Sequence, residues 1–376
     1  MEIQRTLFEK IKSRLFQGKV ILILGPRQVG KTTLVRSLVA SSDKKAVYFN
    51  ADEPNIPPLF SNRTSAELKT IIGSNKLVVI DEAQRIKNIG LSLKLLIDTF
   101  PDIQVIATGS SALELGSEIN EPLTGRKFEF FLFPVSQKEL TAHEGLLNTE
   151  SLLNFRLIFG TYPEVVTAED NQEELLKLIA DSYLYKDLYS LEDIRKPDLL
   201  KRILQALAFQ VGSEVSYHEI AQLLGADKQT VERYIYLLEK SFVIFRLGSF
   251  SRNLRNELKR SRKIYFWDNG IRNALVSNFN HPELRDDVGA LWENFLISER
   301  MKQNHYEGLS ANTFFWRTHA QQEVDYLEER GGTIHAYEFT WNPKKKKKFP
   351  KTFLQAYPGS ETMVVHRKNW QDYIDL

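Results

Sequence analysis

The sequence predicts an α/β chain whose first third is a parallel sheet carrying a phosphate-binding loop, and three observations support that prediction. The first is the apolar run VILIL, 20–24, which passes directly into GPRQVGKT, 25–32, and then into the helical spacing of TTLVRSLVA. The second is another buried-type run, 76–80, closed by the paired acids Asp81 and Glu82. The third is the run 103–107, which ends in Thr108, Gly109 and Ser110. Strand, glycine-rich turn and helix, followed by further short apolar runs, is the order of a parallel sheet with crossover helices.

A phosphate needs bare backbone N–H groups and the positive end of a helix dipole, and glycine lets the backbone curl with no side chain in the way. Gly25, Pro26, Arg27, Gln28, Val29, Gly30 and Thr33 are therefore expected to frame the phosphates of ATP. Lys31 reaches the β- and γ-phosphates, and the Thr32 hydroxyl ligates Mg²⁺. Asp81 is expected to hold Mg²⁺ through water, and Glu82 to orient or deprotonate the water that attacks the γ-phosphate. Thr108 and Ser110 stand at a strand's carboxyl end, where ligands of open α/β sheets bind. They read equally as γ-phosphate sensors and as an ordinary turn leading to a helix N-cap.

Helical spacing then dominates from 146 to 195, where Tyr183, Tyr185 and Tyr189 read as packing residues. From Pro197, the positions Leu199, Leu200, Ile203, Leu204, Leu207 and Ala208 recur at helical intervals. Ser216 with Glu219 fits a capping box, Gly225 a helix stop and Asp227 the next cap, which makes a helix-turn-helix. In its second helix Val231, Ile235 and Leu238 face the core while Lys228, Gln229, Thr230 and Arg233 project outward, as a recognition helix does. The strand 242–245 and the basic run 252–263, six basic residues against the single acid Glu257, would form a wing that grips DNA phosphates. Protein contacts, including a homo-oligomer, are the rival use of such a module.

After Trp267 and Asp268 the pattern shifts to a helix, 288–301, that contains Glu293. Strands at 313–317, 324–328 and 334–341 follow, with Gly331 and Gly332 in the turn between the last two. This pattern resembles the core of restriction-type nucleases, and the resemblance implies that Asp325 and Glu338 converge on Mg²⁺ with Glu293 assisting from the helix. Two residues past Glu338, where such enzymes carry lysine, this chain has Thr340. Lys344, beyond Pro343, could fold back toward the pair, but strand alternation does not bring it into that place. The lysine run 344–348 reads as a solvated loop or as phosphate contacts.

The motifs GPRQVGKTTL, LVVIDEAQ, ATGSSALEL, PLTGRKFEFFLFPVSQKEL and FGTYPEVV, in that order and over essentially the whole chain, resemble prokaryotic AAA-type ATPases that end in a nuclease-like domain of unknown function. The resemblance implies a P-loop NTPase core at 1–145, a helical extension at 146–195, a winged helix-turn-helix at 196–265 and a restriction-endonuclease-like α/β domain at 266–376. It also implies a catalytic role for Arg126, reaching a γ-phosphate in its own or a neighbouring subunit. A surface salt bridge is the other reading of Arg126. The C-terminal acids are then either a degenerate nuclease site that still holds nucleic acid or merely exposed structural groups, with active cleavage the weakest of the three.

Composition narrows the classes. With 376 residues, 42% of them hydrophobic and 26% charged, the chain falls in the globular class and is long enough for two or three domains. The absence of cysteine excludes a disulfide framework and any thiolate metal site or nucleophile. Fifty basic and 48 acidic residues nearly cancel to a net +2, so affinity for nucleic acid must come from local clusters. No apolar run approaches the 18 or so residues of a membrane span, and the cytoplasm is the expected location.

Overall fold

The computed structural model describes residues 3–110, 122–183, 196–251, 261–345 and 347–376. Ser111, Tyr185, Tyr189 and the basic residues from Arg252 to Arg260 lie outside the described residues. The chain divides into two compact units, one of Glu2–Pro134 with Lys240–Phe242, the other of Val135–Glu239 with Val243–Leu376.

The first unit is built on a five-stranded sheet of β1 (Val20–Leu24), β2 (Ala46–Asn50), β3 (Leu77–Asp81), β4 (Gln104–Gly109) and β5 (Lys127–Phe131), in the order β2-β3-β4-β1-β5. Every pair is parallel. β1, β3 and β4 are buried along their whole length, as strands covered by helices on both faces must be. The register Leu24↔Gly109 in β1 and β4, with Asn50↔Asp81 in β2 and β3, brings Gly25, Asp81 and Ser110 to the carboxyl end of one sheet. The helix Lys31–Ala40 springs from that end.

The second unit carries a six-stranded sheet of β6 (Ile244–Ser249), β7 (Arg262–Phe266), β8 (Asn312–Arg317), β9 (Glu323–Arg330), β10 (Thr333–Phe339) and β11 (Glu361–Val365). Its order is β11-β10-β9-β8-β6-β7. Phe250, Trp316, Val324, Leu327, Ile334, Ala336 and Phe353 form a core cluster in this unit. The long helix Val288–Glu307 is tied to β7 through Asn294, whose side-chain oxygen accepts from the Phe266 N–H at 2.7 Å.

The motif at 159–166 works here as a structural joint. Gly160 has φ +69°, and a Cβ on it would lie 2.1 Å from the Asp268 carboxylate, which accepts from the Thr161 N–H at 2.7 Å. The Asn273 amide donates to Ile158 O at 2.7 Å, satisfying a carbonyl at the end of the helix Leu153–Phe159.

The helix-turn-helix forms as expected, with helices Tyr217–Leu224 and Lys228–Lys240 around a left-handed Gly225. Ser216 Oγ accepts from the Glu219 N–H at 3.3 Å, and Asp227 accepts from the Thr230 N–H at 2.8 Å. The Thr230 hydroxyl turns back onto Asp227 at 2.6 Å instead of projecting outward, while Lys228, Gln229 and Arg233 are exposed. The hairpin after it is no free wing. β6 pairs antiparallel with β7 on one side and parallel with β8 on the other, so both strands belong to the large sheet. Apart from Lys240–Phe242, the segments expected as three domains after residue 145 fall in one compact unit, and the unit boundary lies at Pro134. Among the described residues no helix is long and apolar enough to cross a membrane.

Candidate functional site

The loop after β1 is shaped by its glycines. Gly25 is at φ +156° with its N–H on Gly109 O at 3.3 Å, and a Cβ there would meet Leu132 O at 2.0 Å. Gly30, at φ +94°, turns the chain into the helix that begins at Lys31. Gln28 adopts φ +57° at the loop's exposed tip, and Arg27 and Val29 complete the curve. The Lys31 side chain is buried, and its ammonium donates to the carbonyls of Gly25 and Pro26, each at 2.8 Å, so the charge sits inside the curl. Thr33 faces outward.

Asp81 is the hub of the strand ends. Its Oδ2 accepts from the Thr32 hydroxyl at 2.9 Å and from the Tyr48 hydroxyl, and its Oδ1 accepts from the Thr108 hydroxyl. Helix, edge strand and central strand therefore converge on one buried carboxylate. Burial first, and then the Asp81 contact, pushes the Tyr48 phenol well above its ordinary range, so it remains a donor. Glu82 sits in left-handed backbone at φ +53°, with its N–H on Thr108 Oγ1 at 3.1 Å. The Gln84 amide donates to Glu82 Oε2 at 2.5 Å and to the buried Ser110 hydroxyl at 3.0 Å.

Lys31, Thr32, Asp81, Glu82, Thr108 and Ser110 thus lie together. Arg126 does not. The register Val20↔Lys127 places it at the amino end of β5, at the end of the sheet opposite the loop. There its guanidinium pairs with Asp98 at 2.8 Å, both side chains partly exposed. Parallel pairing dictates this outcome, since a residue preceding β5 must lie beside the start of β1, away from the loop of its own subunit. Sequence reasoning also missed three residues. Tyr48 gives no motif signal, although an aromatic two positions before the end of the neighbouring strand is well placed to reach over. Gln84 lies inside the DEAQ motif, where an amide two positions past the acid carries no signal of its own. Arg5 holds the loop from outside, donating to Val29 O at 2.6 Å and Phe133 O at 2.7 Å.

In the second unit Asp325 on β9 and Glu338 on β10 do come together, but Thr340 has its hydroxyl on Asn342 O at 3.2 Å. The missing cation is supplied by Lys347, whose ammonium lies 2.5 Å from both carboxylates. Glu293 does not join the pair. It accepts from Lys263 at 3.0 Å and from the Tyr265 hydroxyl at 2.6 Å, while burial, the larger effect, pushes its carboxyl up. Lys263 also bonds Glu323 at 2.5 Å and is buried, which withdraws it from the basic run expected to grip phosphates. Arg262 lies over the Tyr217 ring. Among the described residues no group of three or more His, Cys, Asp or Glu is placed to hold a metal ion.

Residues 17–141 match the family model of an AAA domain. Residues 150–282 and 288–375 match two models described as domains of unknown function, DUF8612 and DUF4143. An uncharacterized protein of Mycobacterium tuberculosis is 28% identical over 342 residues, covering 89% of this chain and 73% of its own. An uncharacterized protein of Methanocaldococcus jannaschii is 25% identical over 349 residues, covering 80% of this chain and 73% of its own. Among solved structures, the Thermotoga maritima RuvB Holliday junction branch migration motor aligns over 70% of this chain and 92% of its own, at 17% identity and a TM-score of 0.33. The expected resemblance to prokaryotic AAA-type P-loop ATPases that end in a domain of unknown function is borne out.

Proposed function

Taking residues 17–141 as an AAA-type P-loop ATPase domain, we propose that this protein binds ATP with Mg²⁺ and hydrolyses it, and that turnover is coupled to association with, or remodelling of, nucleic acid. The observation that supports the ATPase reading is the meeting of Lys31, Thr32, Asp81, Glu82, Thr108 and Ser110 at the carboxyl end of one parallel sheet. The donors fit Mg²⁺, because Thr32 and Asp81 offer oxygen alone, the ligand type a hard cation takes. Bound there, the ion neutralises charge on the phosphate oxygens.

The loop amides from Gly25 to Thr32 and the helix N-terminus receive the phosphates, and Lys31 exchanges its loop carbonyls for phosphate oxygens. Glu82 accepts the proton of the attacking water. Its carboxylate is aimed by Gln84 and its backbone by Thr108, so the two strand-end hydroxyls are linked to the base through one amide and one N–H.

The nucleic-acid part of the reading rests on the exposed Lys228, Gln229 and Arg233 of the helix-turn-helix. A second reading is favoured by a specific observation: Lys263 and Lys347, both counted toward a phosphate grip, are turned inward into ion pairs. Under it the protein is a slow nucleotide-dependent switch that binds protein partners or further copies of itself. A metal-dependent DNA nuclease is the weakest reading, since the acids that would hold its metal hold Lys347.

Titrating fluorescent duplex DNA at several salt concentrations, with and without ATP, separates the first two readings. Salt-steep binding that Lys228→Ala with Arg233→Ala weakens supports the first. Nucleotide-dependent oligomerisation, with no response to DNA, supports the second.

A further inference from the structure

The Asp325–Glu338 pair has the chemistry of a divalent-cation site and the wrong occupant. We infer that Lys347 is the resident cation of this pair, so that the site takes the chain's own ammonium in place of a divalent metal and clasps the segment after β10 to the sheet.

The strands force the problem that Lys347 solves. Tyr326 is registered opposite Tyr337 across β9 and β10, which sets Asp325 beside Glu338, and the Phe339 N–H donates to Asp325 Oδ2 at 2.7 Å. Both carboxylates are nearly inaccessible, with side-chain exposures of 9% and 4%. Two buried like charges on adjacent strands repel and are poorly solvated, so a cation is required or a proton must be retained. Glu293 brings a third acid into the neighbourhood, but Lys263 and Tyr265 already engage it.

The local chain delivers the lysine. Asn342 Oδ1 accepts from the Lys344 N–H at 2.9 Å and Asn342 O from the Lys345 N–H at 3.1 Å, closing a turn at Pro343 just past the strand. The Lys347 N–H then donates to Lys345 O at 3.0 Å. The turn sends the chain back toward β9 and β10, and Lys347 ends with its ammonium between the two acids. Among the described lysines of the run, Lys344, Lys345 and Lys348 stay exposed and Lys347 alone turns inward. Just beyond it Phe349 packs against the core cluster that contains Phe353, which anchors the other end of the clasped segment. A divalent ion at this pair would meet the ammonium where it needs to sit, and the two like charges cannot share the seat.

The test uses the full chain. Free Mn²⁺ is followed by electron paramagnetic resonance as wild type, Lys347→Ala and the triple variant Lys347→Ala/Asp325→Asn/Glu338→Gln are added. Lys347→Ala is expected to take up one Mn²⁺ equivalent more than wild type, and the triple variant to lose it. Wild type that binds Mn²⁺ in a manner abolished by Asp325→Asn with Glu338→Gln overturns the inference, as does a folded Lys347→Ala that gains no Mn²⁺. Amine labelling of unaltered wild type, read by peptide mass spectrometry, keeps the question open to refutation should Lys347→Ala not fold. Lys347 is expected to react at least about tenfold more slowly than Lys348, because its amine is held protonated and partly covered. Equal rates at the two lysines contradict a clasp.

Discussion

Replacing Gly25 by alanine tests how tightly the loop is built into the sheet. The added Cβ would lie 2.0 Å from Leu132 O and 3.0 Å from Leu132 C, about 1 Å inside the closest separation such atoms adopt. The carbonyl cannot retreat freely, because the Leu132 N–H is hydrogen-bonded to Leu24 O at 2.7 Å, so either β1 or the chain after β5 must shift. Overpacking of this kind costs about 1–3 kcal/mol. The positive φ adds about 1–3 kcal/mol for a residue with a side chain. The sum, about 2–6 kcal/mol, corresponds to a fall in melting temperature on the order of 10 °C or more for a unit of this size. Gly18→Ala is the control: at φ +69° with no atom within 4 Å of its Cβ, it carries the backbone cost alone, about 1–2 kcal/mol. Thermal unfolding followed by circular dichroism, with and without ATP and Mg²⁺, compares the two. Gly25→Ala should be the less stable and should lose the stabilisation by nucleotide that Gly18→Ala keeps. Equal melting temperatures for the two variants would refute the close approach as the reason for glycine at this position.

Three further outcomes are expected. Gln84→Ala should leave ATP affinity close to wild type while lowering kcat about tenfold or more, since it frees Glu82 without touching the loop; a change in affinity alone would contradict its positioning role. Lys263→Ala should destabilise the protein by about 3–5 kcal/mol in chemical denaturation, because Glu293 and Glu323 lose the ammonium that offsets their burial, and a loss under 1 kcal/mol would mean water serves them instead. The Glu338 carboxyl is pushed up to about 8, first by burial and then by Asp325, from its ordinary 4.5. Between those values the folded state holds a proton the unfolded chain has released, so this contribution to stability is complete below pH 4.5 and declines as pH rises toward 8. The stability difference between wild type and Glu338→Gln should therefore move against wild type over that interval, and a difference that is flat with pH would show that Glu338 ionises normally.

The loop end of the first sheet was readable because each of its residues announces itself locally. A loop that must bare its amides needs glycine, and strands buried on both faces are unbroken apolar runs, so 20–24, 77–81 and 104–109 could be placed almost to the residue. Partners that arrive from elsewhere in the chain leave no such trace. Tyr48 reaches Asp81 across one strand pairing, and Arg5 reaches Val29 from a segment with no recognisable pattern. Arg126 shows the opposite failure, a residue whose motif suggested chemistry but whose strand direction carries it to the far end of the sheet.

The second unit was less readable because charge runs look solvated until a turn folds them inward. Strand alternation excludes Lys344 from the acid pair and gives no hint of Lys347, which the Asn342–Pro343 turn brings there. The wing was misjudged for a related reason. A hairpin after a helix-turn-helix looks complete in sequence, and its pairing with β8, from a strand more than 60 residues later, depends on a contact that no local pattern encodes.

The most direct test is phosphate release from ATP with Mg²⁺ by wild type, Lys31→Ala and Glu82→Gln, each with and without duplex DNA. Measurable turnover in wild type that both variants lose, with Glu82→Gln still binding ATP, is the predicted result. Turnover that survives Lys31→Ala and Glu82→Gln unchanged would contradict an ATPase centred on this loop.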